Sequence, residues 1–422
     1  MNITEKCTGC MACYNACPFN AIEIIWQNEK GFYEPHIIEE KCKKCKKCVI
    51  TCPQNNLAEK KENKVVYAAW SNSEIEREES TSGGIFSEIA KKVLEEDGIV
   101  VGAIYDENFK VVHGILTNKE DLQKTRGSKY VQSYIGDSFK IVKKYLDEGR
   151  KVLFSGVACQ IAGLKNFLNK KYNNLITVDV LCHGVPSPMI FEEYKKRHNG
   201  NEISNIKFRY KKPSWTIFSM KIDYKNGSSY SNTTYKDEYI RAFLEDYITN
   251  EVCCECKYTG KDRVSDITLA DFWGYISESF KNRNTEKGIS LVMVNTKVGE
   301  EYFYKIKERI VYIEKTFEEA AKGNQCLRKP FQKNKLYNEN FKMNDVVKLT
   351  KQYSSSDKSK MYKRISKDEN KKSVYLYGWT RFLYSLLVAS DYYATSEFMN
   401  GVKITEFGKI ESIDCIYKEY TN

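Results

Sequence analysis

Eight cysteines within the first 52 residues limit what this chain can become. They fall as Cys7, Cys10, Cys13 and Cys17-Pro18, then again as Cys42, Cys45, Cys48 and Cys52-Pro53. Each run has the C-x2-C-x2-C-x3-C-P spacing that wraps a loop around a cubane 4Fe–4S cluster. In such a loop three thiolates cap irons of one cube, and the fourth leaves on a short helix to ligate the other cube. That rule assigns Cys7, Cys10, Cys13 and Cys52 to one cluster, and Cys42, Cys45, Cys48 and Cys17 to its partner. Zinc is the alternative, although it favours two separated C-x2-C pairs over a run of three plus one. Disulfides fit less well, because no apolar stretch of signal-peptide type precedes Cys7 and an odd total of 15 cysteines cannot all pair. The expected setting is therefore a reducing cytoplasm.

A length of 422 residues suffices for roughly two to four domains. The longest apolar run near the end, Leu386 to Ala389, falls far short of the ~20 residues that span a bilayer, so no membrane span is expected. The formal charge of +11 overstates the basicity. Each oxidised cubane with four thiolates carries roughly −2, so two or three of them remove about 4 to 6 charges. What remains is too mild to argue for nucleic acid but suits an acidic electron carrier such as a ferredoxin or flavodoxin. The two cysteine loops differ in this respect. The first is nearly neutral, whereas Lys41, Lys43, Lys44, Lys46 and Lys47 surround the second. These lysines are either a solvated loop or a positive patch that docks an acidic donor and raises the potential of the nearby cluster.

A charged linker, Glu59 to Lys64, follows the first module, and Val65 to Ala69 then predicts the first strand of a new domain. Ser82-Gly83-Gly84 precedes a helix marked by Ile85, Phe86, Ile89, Val93 and Leu94. Such a turn is either an ordinary helix cap or an anion site for phosphate. Ile99 to Ile104 predicts a strand, and Arg126 to Tyr130 a polar loop in which Lys129 and Tyr130 are candidates to grip a pyrophosphate and stack on a ring. Val152 to Phe154 (strand), Ser155 to Ala158 (turn), Cys159 to Leu168 (helix) and Leu175 to Leu181 (strand) form an α/β unit. Its two strands deliver Cys159 and Cys182 near their C-terminal ends, where open α/β sheets bind ligands. With Cys253 and Cys256 they form a candidate third cubane; the alternative is that Cys159 and Cys182 are small buried residues. Ile206 to Tyr210, Ser219 to Tyr224 and Asn226-Gly227 read as hairpin strands, and Ile289 to Ile313 as one more βαβ-like unit.

The runs STSGGIFSEIA, RGSKYVQS, FSGVACQIAGL, LCHGVP, CCECKY with DRVSDITLADFWG, and GISLVMVN resemble, in this order, the family of coenzyme F-420 hydrogenase/dehydrogenase beta subunits, in its form with a fused two-cluster ferredoxin domain. The resemblance covers about residues 1–340. It implies an α+β to α/β architecture: a bacterial-type ferredoxin module at 1–57, then a mixed α/β flavin-binding core. The core is divided into an N-terminal-type part at 65–148 and a C-terminal-type part at 149–340. Residues 341–422, with a lysine-rich linker and an aromatic helix candidate at Tyr375 to Tyr393, form an extension of unassigned role. The resemblance further implies non-covalent FAD, a third cluster in the core, flavin contacts from Ser82, Gly83, Gly84, Lys129 and Tyr130, and Gln160 near the isoalloxazine. It favours Cys253 over Cys254 as ligand, and Ala270 stands where the family usually has glycine.

The expected activity is electron passage between a ferredoxin-like carrier and an organic substrate or the deazaflavin coenzyme, through 4Fe–4S clusters and FAD. A non-catalytic component of a larger complex and a protein merely stapled by its clusters are the alternatives; oligomeric state stays open. His183, beside Cys182, is the candidate proton donor, or else a residue whose hydrogen bond orients the cluster loop.

Overall fold

The computed structural model describes residues 2–26, 31–62, 65–198, 200–275 and 287–332. The expected linker and aromatic helix of 341–422 lie outside the described residues. In the N-terminal module, two five-residue helices, α1 (Ala12–Ala16) and α2 (Lys47–Thr51), repeat at the same offset of 35 as the cysteines. Short helices that must follow a cysteine loop need a sharp entry, and Met11 and Lys46 supply it at φ 57° and 62°. An antiparallel hairpin, β1 (Ile22–Trp26) and β2 (Tyr33–Ile37), completes the module.

The core is built on strands apolar along their whole length, which must be covered on both faces. In chain order its first half contains β3 (Val65–Ser71), α3 (Glu74–Glu79), α4 (Ile85–Glu95), β4 (Ile99–Tyr105), β5 (Val111–Leu116), α5 (Ser138–Asp147), β6 (Val152–Val157), α6 (Ala158–Leu168) and β7 (Leu175–Val180). Then follow α7 (Pro188–Arg197), β8 (Ile203–Tyr210), β9 (Ser219–Tyr224), β10 (Ser229–Thr233), α8 (Glu238–Leu244), β11 (Ile267–Asp271), β12 (Ser290–Val294), α9 (Lys297–Lys305), β13 (Ile310–Lys315) and α10 (Phe317–Gly323). Eight strands form one mixed sheet in the order β13-β3-β12-β11-β7-β6-β4-β5, parallel from β4 through β11. Ile99, Val101, Val152 and Phe154 point to the face covered by α5, α6 and the N-terminal module; Val100 and Leu153 point to the face covered by α4 and α9. Strands β8 to β10 form a separate antiparallel sheet packed on α7 and α8.

Three expectations are modified, and the segments 65–148 and 149–340 share one sheet. Ser155 to Val157 continue β6 instead of turning, because their ladder to Val178, Asp179 and Val180 persists to the first residue of α6. The Ile289–Ile313 unit does not pair its own strands: β12 and β13 flank β3, antiparallel to it on either side. The charged linker is pinned where it is described, since Lys61 exchanges backbone hydrogen bonds with Arg263 at 2.7 and 2.8 Å. No helix among the described residues is long and apolar enough to cross a membrane.

The end of α4 is tied to both neighbouring layers by two carboxylates. Hydrogen bonds from Arg309, and then Lys119, hold Glu95 at about 2. Burial alone would raise Glu96, but hydrogen bonds from Lys151, Lys305 and Tyr302 outweigh it and hold that carboxyl also at about 2. Both therefore titrate lower folded than unfolded, where 4.5 is ordinary. Their contribution is whole above about pH 4.5 and is lost as pH falls toward 2. Glu96→Gln is expected to lower the urea midpoint at pH 6 and to narrow its gap from wild type at pH 3; an equal gap at both would exclude this linkage.

Candidate functional site

Among the described residues, three cavities are ringed by cysteines. The first is lined by Cys7, Cys10, Cys13 and Cys52; the second by Cys42, Cys45, Cys48 and Cys17. The structure thus brings together the same two quartets that the crossed spacing rule names. The helices make the crossing possible, because α1 carries the chain from Cys13 to Cys17 and α2 from Cys48 to Cys52. Backbone N–H groups of Gly9 and Ala21 donate to the Cys7 and Cys17 sulfurs at 3.3 Å.

The third cavity is lined by Cys159, Cys182, Cys253 and Cys256, and Cys254 is not among its lining residues. Cys159 is the second residue of α6, Cys182 follows β7, and Cys253 and Cys256 sit on a tight turn after α8. Gly184 N–H donates to Cys182 Sγ at 3.3 Å. Beneath the cavity lies Arg263, 2% exposed, bonded to the Tyr258 carbonyl (2.6 Å), Thr268 (3.2 Å) and the buried Asp179. Thr8 and Gln54 line both this cavity and the first. Between the two, the buried Tyr258 donates its hydroxyl to the carbonyl of Pro53 at 3.1 Å. A Cβ on Gly163 of α6 would lie 3.0 Å from Cys10 Sγ, so glycine there lets the first cysteine loop seat directly on the core.

These sites fit polynuclear iron by the chemistry of their donors, since cysteine thiols ring each volume. Burial also pushes Cys10 up to about 11, Cys182 up to about 12, and Cys7, Cys13, Cys159 and Cys253 well above the ordinary thiol range. Thiolates there need adjacent cationic metal.

The residues expected to meet flavin divide. The Ser82 turn and the Lys129 loop are neighbours: Ser128 N–H donates to Thr81 Oγ1 at 2.7 Å, and Arg126 forks onto Glu76 at 2.5 and 2.7 Å. Gly83 is packed against the sheet, its N–H bonded to Ser290 Oγ at 3.0 Å, whereas Gly84, at φ 87°, opens α4 with no side-chain cap. Lys211 of the turn after β8 staples this region by donating to the carbonyls of Arg77, Ser82 and Lys287. Burial pushes Lys129 down to about 7; its ammonium lies 3.3 Å from the Arg126 and Gly127 carbonyls, and no carboxylate pairs with it among the described residues. Tyr130 stacks on Phe243 and meets Arg209, which reaches Asp271 at 3.2 Å. Ser82 Oγ, Tyr105 OH and Arg209 Nε are buried without a hydrogen-bond partner among the described residues. Orphaned donors beside an uncompensated ammonium fit an anionic, hydrogen-bonding ligand. Gln160 differs: it is 6% exposed, its carbonyl accepts from Val157 N–H (3.0 Å) and its amide donates to Ser133 (2.9 Å), so it braces α6 internally.

His183 lies in the wall of the third cavity with Nε2 3.0 Å from Asp246 Oδ1. The Asp246 carboxylate beside it, and then Cys326, push the imidazole up to about 10. The sequence motifs leave Asp246, Cys326 and Arg209 unmarked, because no local pattern singles them out; the extra cysteine at position 326 was the one available signal.

Fold and site define an iron–sulfur electron-transfer oxidoreductase component. The chain belongs to the family of coenzyme F-420 hydrogenase/dehydrogenase beta subunits: the N-terminal model of that family matches residues 66–138 and its C-terminal model residues 149–320, while a 4Fe–4S dicluster domain matches 6–56. The last match removes the zinc alternative for the N-terminal module. Among curated relatives, a subunit of the F(420)H(2) dehydrogenase of Methanosarcina mazei is 24% identical over 74% of this chain and 85% of its own length. The coenzyme F-420-dependent sulfite reductase of Methanocaldococcus jannaschii is 28% identical over 78% of this chain and 50% of its own length. A chain of the F-420-reducing NiFe hydrogenase complex from Methanosarcina barkeri aligns with a TM-score of 0.43 and 19% identity, over 64% of this chain and 87% of that one.

Proposed function

We propose that the chain carries electrons, in a reducing cytoplasm, between an acidic one-electron carrier of ferredoxin or flavodoxin type and an organic substrate or the deazaflavin coenzyme. One observation supports this above the rest: the cysteine cavities form a series that begins at an exposed loop. Cys45 of the second cavity is exposed, Cys10, Cys13 and Cys52 of the first are buried, and the first shares Thr8 and Gln54 with the third. When bound, 4Fe–4S clusters move single electrons and FAD converts them to hydride. The three cysteine quartets hold the clusters; Ser82, Gly84, Lys129 and Tyr130 hold FAD, joined by Tyr105 and Arg209. Lys43, Lys44, Lys46 and Lys47 are exposed around Cys45, next to Phe19 and Ile50 at 43% and 64% exposure. This basic rim with an apolar centre suits an acidic carrier. His183 orients the rim of the third cavity.

Anaerobic reconstitution tests the reading by iron per chain, flavin identity by mass, and bleaching by reduced ferredoxin. About twelve irons are expected for three cubanes. Cys253→Ser is expected to leave about eight, and Cys254→Ser about twelve. Eight irons in the wild type, or no flavin in the reconstituted protein, would overturn the scheme. A second reading, a non-catalytic relay inside a complex, is favoured by the naming of the Methanosarcina mazei relative as a subunit. Turnover of a soluble acceptor by the purified chain alone would exclude it.

A further inference from the structure

The first and third cavities meet at a seam fastened by residues that directly follow their cysteines. Pro53 and Gln54 follow Cys52 of the first quartet, and Lys257 and Tyr258 follow Cys256 of the third. Across the seam Tyr258 donates its hydroxyl to the Pro53 carbonyl at 3.1 Å, and Lys257 Nζ donates to the Gln54 carbonyl at 2.8 Å. A second contact lies on α6, where Cys159 and Gly163 stand one helical turn apart on the same face. Gly163 meets Cys10 of the first quartet so closely that a Cβ there would lie 3.0 Å from its sulfur. Thr8 and Gln54 line both cavities, so single residues form the wall between them.

Tyr258 occupies the inside of this seam, whereas Lys257 is exposed at its edge. Tyr258 is 3% exposed and belongs to the apolar cluster that holds Cys10, with Cys159 and Cys256 packed against it. Its carbonyl accepts from Arg263 at 2.6 Å, and Asp179 anchors that guanidinium in turn. A short route therefore joins the two quartets. From Cys52 the backbone reaches the Pro53 carbonyl, the hydrogen bond passes to the phenol, and the chain runs through Lys257 to Cys256. Electron tunnelling falls steeply with distance, and covalent and hydrogen bonds carry it farther than an empty gap does.

We propose that the Tyr258 hydroxyl is the link by which electrons cross from the first cluster to the third. The link presupposes that clusters fill the two quartets, as in the proposed function. In each crossing the reduced first cluster loses one electron and the third gains it; no bond breaks, and the phenol keeps its proton. The acidic one-electron carrier is the source of that electron.

The test uses the full chain, anaerobically reconstituted, mixed with reduced ferredoxin and freeze-quenched for electron paramagnetic resonance. The Cys253→Ser chain, without a third cluster, identifies the N-terminal signals. Tyr258→Phe keeps the ring and removes only the hydroxyl. It is expected to slow the appearance of the third-cluster signal severalfold, while the N-terminal signals appear at the wild-type rate and iron content and midpoint potentials are unchanged. Lys257→Met removes the neighbouring exposed hydrogen bond and is expected to keep the wild-type rate. Unslowed third-cluster reduction or loss of iron in Tyr258→Phe would overturn the proposal. Equal slowing in both variants would also overturn it, by assigning the effect to docking of the N-terminal module. Fully reduced wild type is expected to show magnetic coupling between the N-terminal and third-cluster signals, and its absence would overturn the link by separating the two clusters. About eight irons in the wild type would remove the third cluster, and with it both the proposed function and the crossing. About twelve irons with an indifferent Tyr258→Phe would remove the crossing alone.

Discussion

Asp179→Asn is expected to destabilise the folded chain by about 3–5 kcal/mol, the cost of leaving a buried charge without its partner. Asp179 on β7 is fully buried and takes the guanidinium of Arg263, itself 2% exposed, together with hydrogen bonds from Ser265 and Thr268. An asparagine of the same shape keeps the space but leaves the guanidinium uncompensated. The damage should extend to the third cavity, because Arg263 lines it, holds the Tyr258 carbonyl and pairs its backbone with Lys61. Anaerobic urea unfolding and iron counting check both effects. The double replacement Asp179→Leu with Arg263→Met should recover much of the stability, since removing both charges costs far less than removing one. A single variant as stable as wild type would show that this pair does not hold β7 to the cavity.

Reversing charge at two lysines of the second cysteine loop, Lys44→Glu with Lys46→Glu, is expected to slow reduction by an acidic carrier about tenfold or more at low salt. Cationic surface fields raise such on-rates by about 10 to 10³, and the difference should shrink as salt screens it. Both lysines are exposed and already occupy left-handed backbone, φ 52° and 62°, so glutamate meets the same conformational demand. Stopped-flow bleaching with reduced ferredoxin at two ionic strengths measures the effect. An unchanged rate at both would place the entry point for electrons elsewhere and sink the docking role of this loop.

The two loops differ for a reason that the fold makes visible. Position 9 is glycine, and a Cβ there would lie 2.0 Å from Gln132 Nε2; its counterpart 35 residues later, Lys44, faces water. Cys10 is likewise buried against α6 while its counterpart Cys45 is exposed. The neutral loop is the one that docks, and the charged loop is the one left outside.

Much of this was legible in the amino-acid order because it is local. Cysteines spaced by two or three residues share a loop whatever surrounds them, and continuous apolar runs such as Ile99 to Val101 and Val152 to Phe154 form buried strands on their own account. The spaced motifs likewise carried the family, and the two helices of the N-terminal module followed from the repeat. Tertiary structure decided the rest, through contacts between residues far apart in the chain. It brought Cys326 and Asp246 to His183 and joined Arg209 to Tyr130. It placed β3 between β12 and β13, and turned Gln160 inward onto Ser133. Such pairings are set by how sheet, helices and loops close on one another, and no spacing within a single segment encodes them.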